Sequence, residues 1–146
     1  MNLMKPKLRK PKAATEVTPE PRRRIMRAIK SQNTYPELFV RRLAHRMGYR
    51  FRLHRKDLPS KPDLVFPGKR KVIFVHGCFW HSHDCGMGHL PKQNRRFWGE
   101  KLSSTVLRDK VAREALTALG WEVSVIWECE LQNTSFVERR LRAFLK

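Results

Sequence analysis

The chain has 146 residues, with 32 Lys or Arg against 13 Asp or Glu and a formal net charge of +19. That length supports one domain around a single core, and so large a positive excess repels itself unless a polyanion is near. Nucleic acid fits that role better than a membrane surface, because no long apolar run or lipidation motif is present. No apolar stretch follows the basic N-terminus, so a cytoplasmic, nucleoid-associated protein is expected. Three cysteines, an odd number, argue against a disulfide framework and leave free thiols or metal ligands.

Residues 1–20 alternate Lys5, Lys7, Arg9, Lys10 and Lys12 with Pro6, Pro11 and Pro19. A disordered basic arm is expected there, phosphate-binding or inert, ahead of a single domain over 21–146. PRRRIMRAIK at 21–30 suits a short basic helix or turn. Thr34 and Glu37 form a capping box that starts a helix, Phe39, Leu43 and Met47 give it an apolar stripe, and Gly48 ends it. Tyr49, Phe51 and Leu53 alternate with Arg50, Arg52 and His54, the pattern of a half-buried strand.

Asp63 to Phe66 is a second short strand, Pro67 to Arg70 a turn, and Val72 to Val75 a central strand covered on both faces; the last two strands make a hairpin. An irregular segment rich in His, Cys and Gly follows from His76 to about Pro91. A long helix then runs from about Arg95 to Leu119, with Leu107, Val111, Ala115 and Leu119 at fourfold spacing, and Gly120 ends it. Trp121, Val123, Val125 and Trp127 alternate as a last strand, and 135–145 form a closing helix capped by Ser135. The fold class is α/β, a mixed sheet flanked by helices.

Between Val75 and Cys85 lie three of the six histidines and two of the three cysteines. Cys78, His83 and Cys85 could surround one ion in a tight loop, with Cys129 after the last strand as the remaining thiolate. Such a set suits structural zinc, although the spacing is not a common paired pattern and buried thiols with surface histidines are the alternative. Asp63 at a strand start, near a strand that ends in His76, is the geometry of a nuclease magnesium site; alone, it reads better as an ordinary Pro-Asp turn. His76 and His81 are candidate proton carriers, while Glu37 is already explained by its capping box. Phe79, Trp80, Phe97 and Trp98 stand in or beside the irregular segment, where they could wedge between bases or pack in the core.

MRAIKSQNTYPE, KPDLVF, VIFVHGCFWHSHDC, the Phe97-Trp98 pair, Arg108-Asp109 and GWEVSVIWECEL, spanning residues 26–131, resemble the very short patch repair (Vsr) endonucleases. HGCFWH joined to a later WEC is the most specific part. The resemblance implies a restriction-endonuclease-like fold and a Mg²⁺-dependent nick on the 5′ side of the mispaired thymine of a T·G mismatch in double-stranded DNA. By position, Asp63 matches the magnesium-binding aspartate, and Val75 a residue whose carbonyl can complete that site. His76 matches the catalytic histidine, His81 a second active-site histidine, and Glu37 a glutamate that orients it. Cys78, His83, Cys85 and Cys129 match structural zinc ligands. Phe79, Trp80 and Trp98 match aromatics that enter the duplex. Other mismatch-repair proteins are further partners that the resemblance suggests.

One departure concerns the wider nuclease superfamily, whose usual Glu-x-Lys reads Phe74-Val75-His76 here, leaving the metal site thin in carboxylates. The reading that follows is hydrolysis with His76 as general base, His81 as acid or phosphate clamp, zinc as a staple and a monomeric enzyme, since a one-sided lesion needs no twofold symmetry. Two rivals share the charge: a zinc-stapled nucleic-acid-binding module without catalysis, and an RNA-binding protein indifferent to mismatches.

Overall fold

The computed structural model describes residues 33–86 and 90–146. The expected basic arm over 1–20 and the short basic helix at 21–30 lie outside the described residues.

Helix α1 is Tyr35–Arg46. Thr34 Oγ1 accepts from Glu37 N at 3.5 Å, one half of the expected capping box. The return bond goes one residue further back, from Asn33 N to Glu37 Oε2 at 2.9 Å. Val40, Leu43 and Ala44 are buried, and Gly48, at φ +94°, takes the left-handed turn that ends the helix.

Residues 49–53 do not form the expected strand. A single bridge, Arg52 to Val65, ties them to the sheet. Tyr49 and Phe51 still pack edge-on against Phe66 at 6.5 and 5.9 Å, so the alternation reported burial for these two residues. Leu53 is exposed and His54 takes φ +44°, which turns the chain away before a ladder can extend.

Strands β1 (Leu64–Phe66) and β2 (Lys71–His76) pair antiparallel around a short 3₁₀ turn at Pro67–Lys69, as the turn residues predict. β2 also pairs parallel with β3 (Glu122–Trp127), giving a three-stranded mixed sheet in the order β1-β2-β3. The crossover between the parallel strands is the 24-residue helix α2, Arg95–Ala118.

Its buried positions are Leu102, Ala112 and Leu116, whereas Leu107, Val111 and Leu119 of the expected stripe are exposed. Positions four apart advance about 400° on a helix of 3.6 residues per turn, so three such steps drift about 120° off any face. Arg70 caps the far end, donating from Nη2 to Leu119 O at 2.7 Å. A second 3₁₀ turn, Glu128–Gln132, leads to helix α3, Thr134–Phe144. Asn133 is its cap, accepting from Phe136 N at 3.1 Å, where Ser135 was expected; Ser135 already lies inside the first turn.

Alternation along the strands splits the core in two. Leu64, Phe66, Ile73, Val75 and Ile126 meet α1 and α3 through Val40, Leu43, Val137 and Leu141. Val65 and Val72 meet Leu116 and Trp121 on the other side. The carboxyl ends of β2 and β3 and the start of β1 therefore share one end of the sheet, where ligands bind in open α/β folds. No helix among the described residues is long and apolar enough to cross a membrane.

Candidate active site and metal centre

Asp63 directly precedes β1. Its Oδ2 accepts from Val75 N at 2.6 Å. A strand residue presents its N–H and its C=O to the same side, so the Val75 carbonyl faces that edge as well. Burial, before any other cause, pushes the Asp63 carboxyl up to about 7. Glu37, buried in the first turn of α1, joins it from the other side. His54 completes the group: Glu37, His54 and Asp63 offer ligand atoms that all lie within 4.8 Å of one another.

β2 ends in His76. Its ring stacks on that of His81, centroids 3.7 Å apart and 2° from parallel. His81 Nδ1 pairs with Asp109 Oδ2 of α2 at 2.5 Å. The expected orientation of His81 by Glu37 is thus not the arrangement found; Asp109 holds the ring, and Glu37 binds Asn33 N and Arg41 instead. Burial, then the neighbouring His81, pulls the His76 imidazole down to about 3, so this ring is neutral at physiological pH. These groups open on a cleft of about 380 Å³ that also presents Lys110 and Arg113.

The linkage of His76 gives a testable pH dependence. The unfolded chain takes up this proton near pH 6.5 and the folded chain only near 3, so the unfolded state binds more protons in between. Above about 6.5 the ring is neutral in both states and the linkage costs nothing; as pH drops toward 3 the folded chain loses on the order of a few kcal/mol. His76→Gln has no proton to gain, so the parent should lose stability relative to this variant between pH 7 and pH 4. Urea midpoints across that range check it, and a constant gap would contradict it.

Between Gly77 and Gly86 the chain folds on itself, with His81 N donating to Gly77 O at 3.2 Å and His83 N to Cys78 O at 2.9 Å. Cys78 is buried and its Sγ accepts from Cys129 N at 3.4 Å. Cys129 Sγ lies 3.5 Å from His83 Nδ1. Cys78, His83, Cys85 and Cys129 bring their ligand atoms within 4.8 Å of one another. Burial pushes the Cys78 thiol up to about 12 and raises Cys129 as well. A soft cation reverses that preference, because a coordinating thiol loses its proton. Trp127, the last residue of β3, stacks on His83 at 4.0 Å and meets His76 edge-on at 5.2 Å, which joins the thiol cluster mechanically to the histidine pair.

Phe79, Trp80 and Trp98 form one half-buried cluster with ring centroids 5.1 to 5.8 Å apart. Phe97, for which packing in the core was an open alternative, is 51% exposed. Asp109 and His54 are the site residues that sequence reasoning missed. Asp109 stood in a quoted motif with no role attached, and His54 read as the polar face of a strand.

A family profile described as DNA mismatch endonuclease Vsr matches residues 14–87. The chain belongs to the Vsr family of DNA mismatch endonucleases. A type II nicking enzyme of Xanthomonas oryzae pv. oryzae is 52% identical over 129 residues, covering 88% of this chain and 95% of the relative. The DNA mismatch endonuclease Vsr of Escherichia coli is 40% identical over 112 residues, 77% of this chain and 72% of its own length. A type II nicking enzyme of Neisseria meningitidis is 39% identical over 122 residues, with 84% and 87% covered. The Vsr profile begins at residue 14, earlier than the motifs from residue 26 suggested. It contains Glu37, Asp63 and the loop through Cys85, while Asp109 and Cys129 lie beyond it and reach the site through the fold of this Vsr-family endonuclease.

Proposed function

We propose that this endonuclease nicks one strand of double-stranded DNA on the 5′ side of the mispaired thymine in a T·G mismatch, with Mg²⁺, and so initiates very short patch repair. The observation that carries hydrolysis is the Asp109–His81 pair stacked on His76 beside Asp63. A purely zinc-stapled binding module has no use for it. A restriction-endonuclease-like fold accords with a mixed sheet whose site lies at one end.

The Asp63 carboxylate and the Val75 carbonyl are hard oxygens suited to Mg²⁺. A cation held there would polarise the phosphoryl oxygen and stabilise the leaving oxyanion. With Nδ1 given to Asp109, His81 keeps Nε2 free to take the proton of the attacking water. His76, far less basic, does not compete for that proton and serves as a hydrogen-bond donor to phosphate. This reverses the sequence-based assignment of base to His76. Zinc on the four-residue Cys/His set staples the loop and does no chemistry. Lys and Arg contacts to phosphate supply affinity but cannot read a mismatch. Incubation with Mg²⁺ and matched or T·G duplexes, with the cut mapped at single-nucleotide resolution, tests the reading; equal cutting of both overturns it.

Discrimination falls to Phe79, Trp80 and Trp98, which unstack the weak step. Trp80→Ala should lose preference for T·G over matched duplex with an unchanged salt dependence of binding, at a stability cost of about 1 kcal/mol per lost ring contact. A folded variant that still discriminates rules out the wedge at that position.

A further inference from the structure

We propose that His54 is a ligand of the catalytic divalent cation, so that Glu37, His54 and Asp63 form a mixed nitrogen–oxygen site that favours Mn²⁺ over Mg²⁺. The inference rests on the proposed metal-dependent nicking and adds to it a residue and a metal preference.

The argument begins with Arg41. Its Nη2 lies 3.2 Å from His54 Nε2 and 3.1 Å from Glu37 Oε2, while Nη1 donates to Asn33 Oδ1 at 2.7 Å. A guanidinium can only donate, so the His54 nitrogen facing it carries a lone pair rather than a proton. That same Nε2 lies 3.5 Å from Glu37 Oε2 and 3.6 Å from Asp63 Oδ1. These separations exceed normal hydrogen bonds, so no hydrogen bond ties His54 Nε2 to either carboxylate. Three possible ligand atoms therefore converge where a positive charge makes the approach favourable. Ligands on one ion with bonds of about 2.1 Å stand about 3 to 3.5 Å apart, octahedral to tetrahedral. The observed 3.5 and 3.6 Å lie at and just above the top of that range, and Arg41 is the positive charge already drawn to two of the same atoms.

His54 also holds its place by backbone geometry. It sits at φ +44°, the turn that ends the 49–53 segment and directs the ring back toward α1. Mn²⁺ is the weakest nitrogen binder of the first-row transition ions, but as one of them it accepts an imidazole nitrogen more readily than Mg²⁺, which prefers oxygen alone. His54 should therefore raise affinity for Mn²⁺ more than for Mg²⁺.

The test uses the full-length, zinc-loaded protein with Mn²⁺ as probe. Bound Mn²⁺ should show nitrogen coupling in pulsed electron paramagnetic resonance, shifted by ¹⁵N-histidine labelling. In His54→Gln that coupling should vanish. Calorimetry should show Mn²⁺ affinity down about tenfold or more, with a smaller loss for Mg²⁺. Coupling that is absent in the parent, or persists unchanged in His54→Gln, overturns the assignment. If His54→Gln does not fold, His81→Ala takes its place: coupling that survives there supports His54, and coupling lost there assigns the nitrogen to the stacked pair and overturns the proposal. Nicking of a T·G duplex is followed in parallel. Mg²⁺-dependent nicking without nitrogen coupling sinks His54 alone, whereas cleavage that needs no divalent cation sinks the reading beneath it.

Discussion

Asp63→Asn should reduce nicking by about a thousandfold or more while the protein becomes no less stable. On the proposed reading Asp63 holds a Lewis-acidic cation, and losing that carboxylate would remove several kcal/mol of transition-state stabilisation. Asparagine keeps the shape and can still accept from Val75 N, which donates to Asp63 at 2.6 Å. Stability should move the other way. Burial holds the Asp63 carboxyl near 7, against an ordinary value of 3.8. The folded chain thus binds more protons than the unfolded chain between those values, and stability falls as pH rises through that window. Asparagine has no proton to lose, so above pH 7 the variant should gain on the order of a few kcal/mol, a gain that vanishes below about pH 4. Single-turnover nicking and melting at pH 4 and 8 give both readouts. Normal nicking by Asp63→Asn would remove Asp63 from the active site.

Cys129→Ala should release zinc and lower stability by several kcal/mol. If the four side chains were only neighbouring thiols and an imidazole, truncation would leave a methyl-sized void worth about 1 kcal/mol. As ligands they would carry part of the folding free energy, because the four side chains meet only when the 77–86 loop reaches the end of β3. A strong chelator should depress the melting temperature of the parent protein and leave that of Cys129→Ala nearly unchanged. Nicking should fall as well, since Trp127 couples His83 to His76. Freshly purified protein without zinc, or equal chelator sensitivity in both proteins, would refute the staple.

Much of the fold was legible because the signals are local. The Thr34 cap, the turn at Pro67 to Arg70 and the unbroken apolar run of β2 each follow from a few neighbouring residues. Cys129 joined Cys78, His83 and Cys85 by elimination, since no other thiol exists. What was missed depends on distance. Tyr49 and Phe51 alternate because they pack on Phe66, a contact that leaves the same period as a ladder without its hydrogen bonds. Asp109 lies among charged positions of a largely exposed helix, and only the crossover brings it to His81. Glu37 looked spent on its cap, yet its carboxylate passes Thr34 and also reaches Arg41.

Helix α2 carries Trp98 near its start and Asp109 eleven residues later (98 to 109) without interruption. At 1.5 Å per residue that is a rigid rod of about 16 Å. On the proposed reading, one end of the rod sits with the rings that sense the lesion and the other sets the imidazole that cuts. The molecule then works as a brace: Trp80 and His81 stand side by side on one loop, and the rod grips that loop at two points, Trp98 against Trp80 and Asp109 against His81. Inserting one residue in that span would lengthen the brace by about 1.5 Å and swing Asp109 about 100° away from His81, leaving a protein that could still find its lesion but no longer orient the imidazole that cuts.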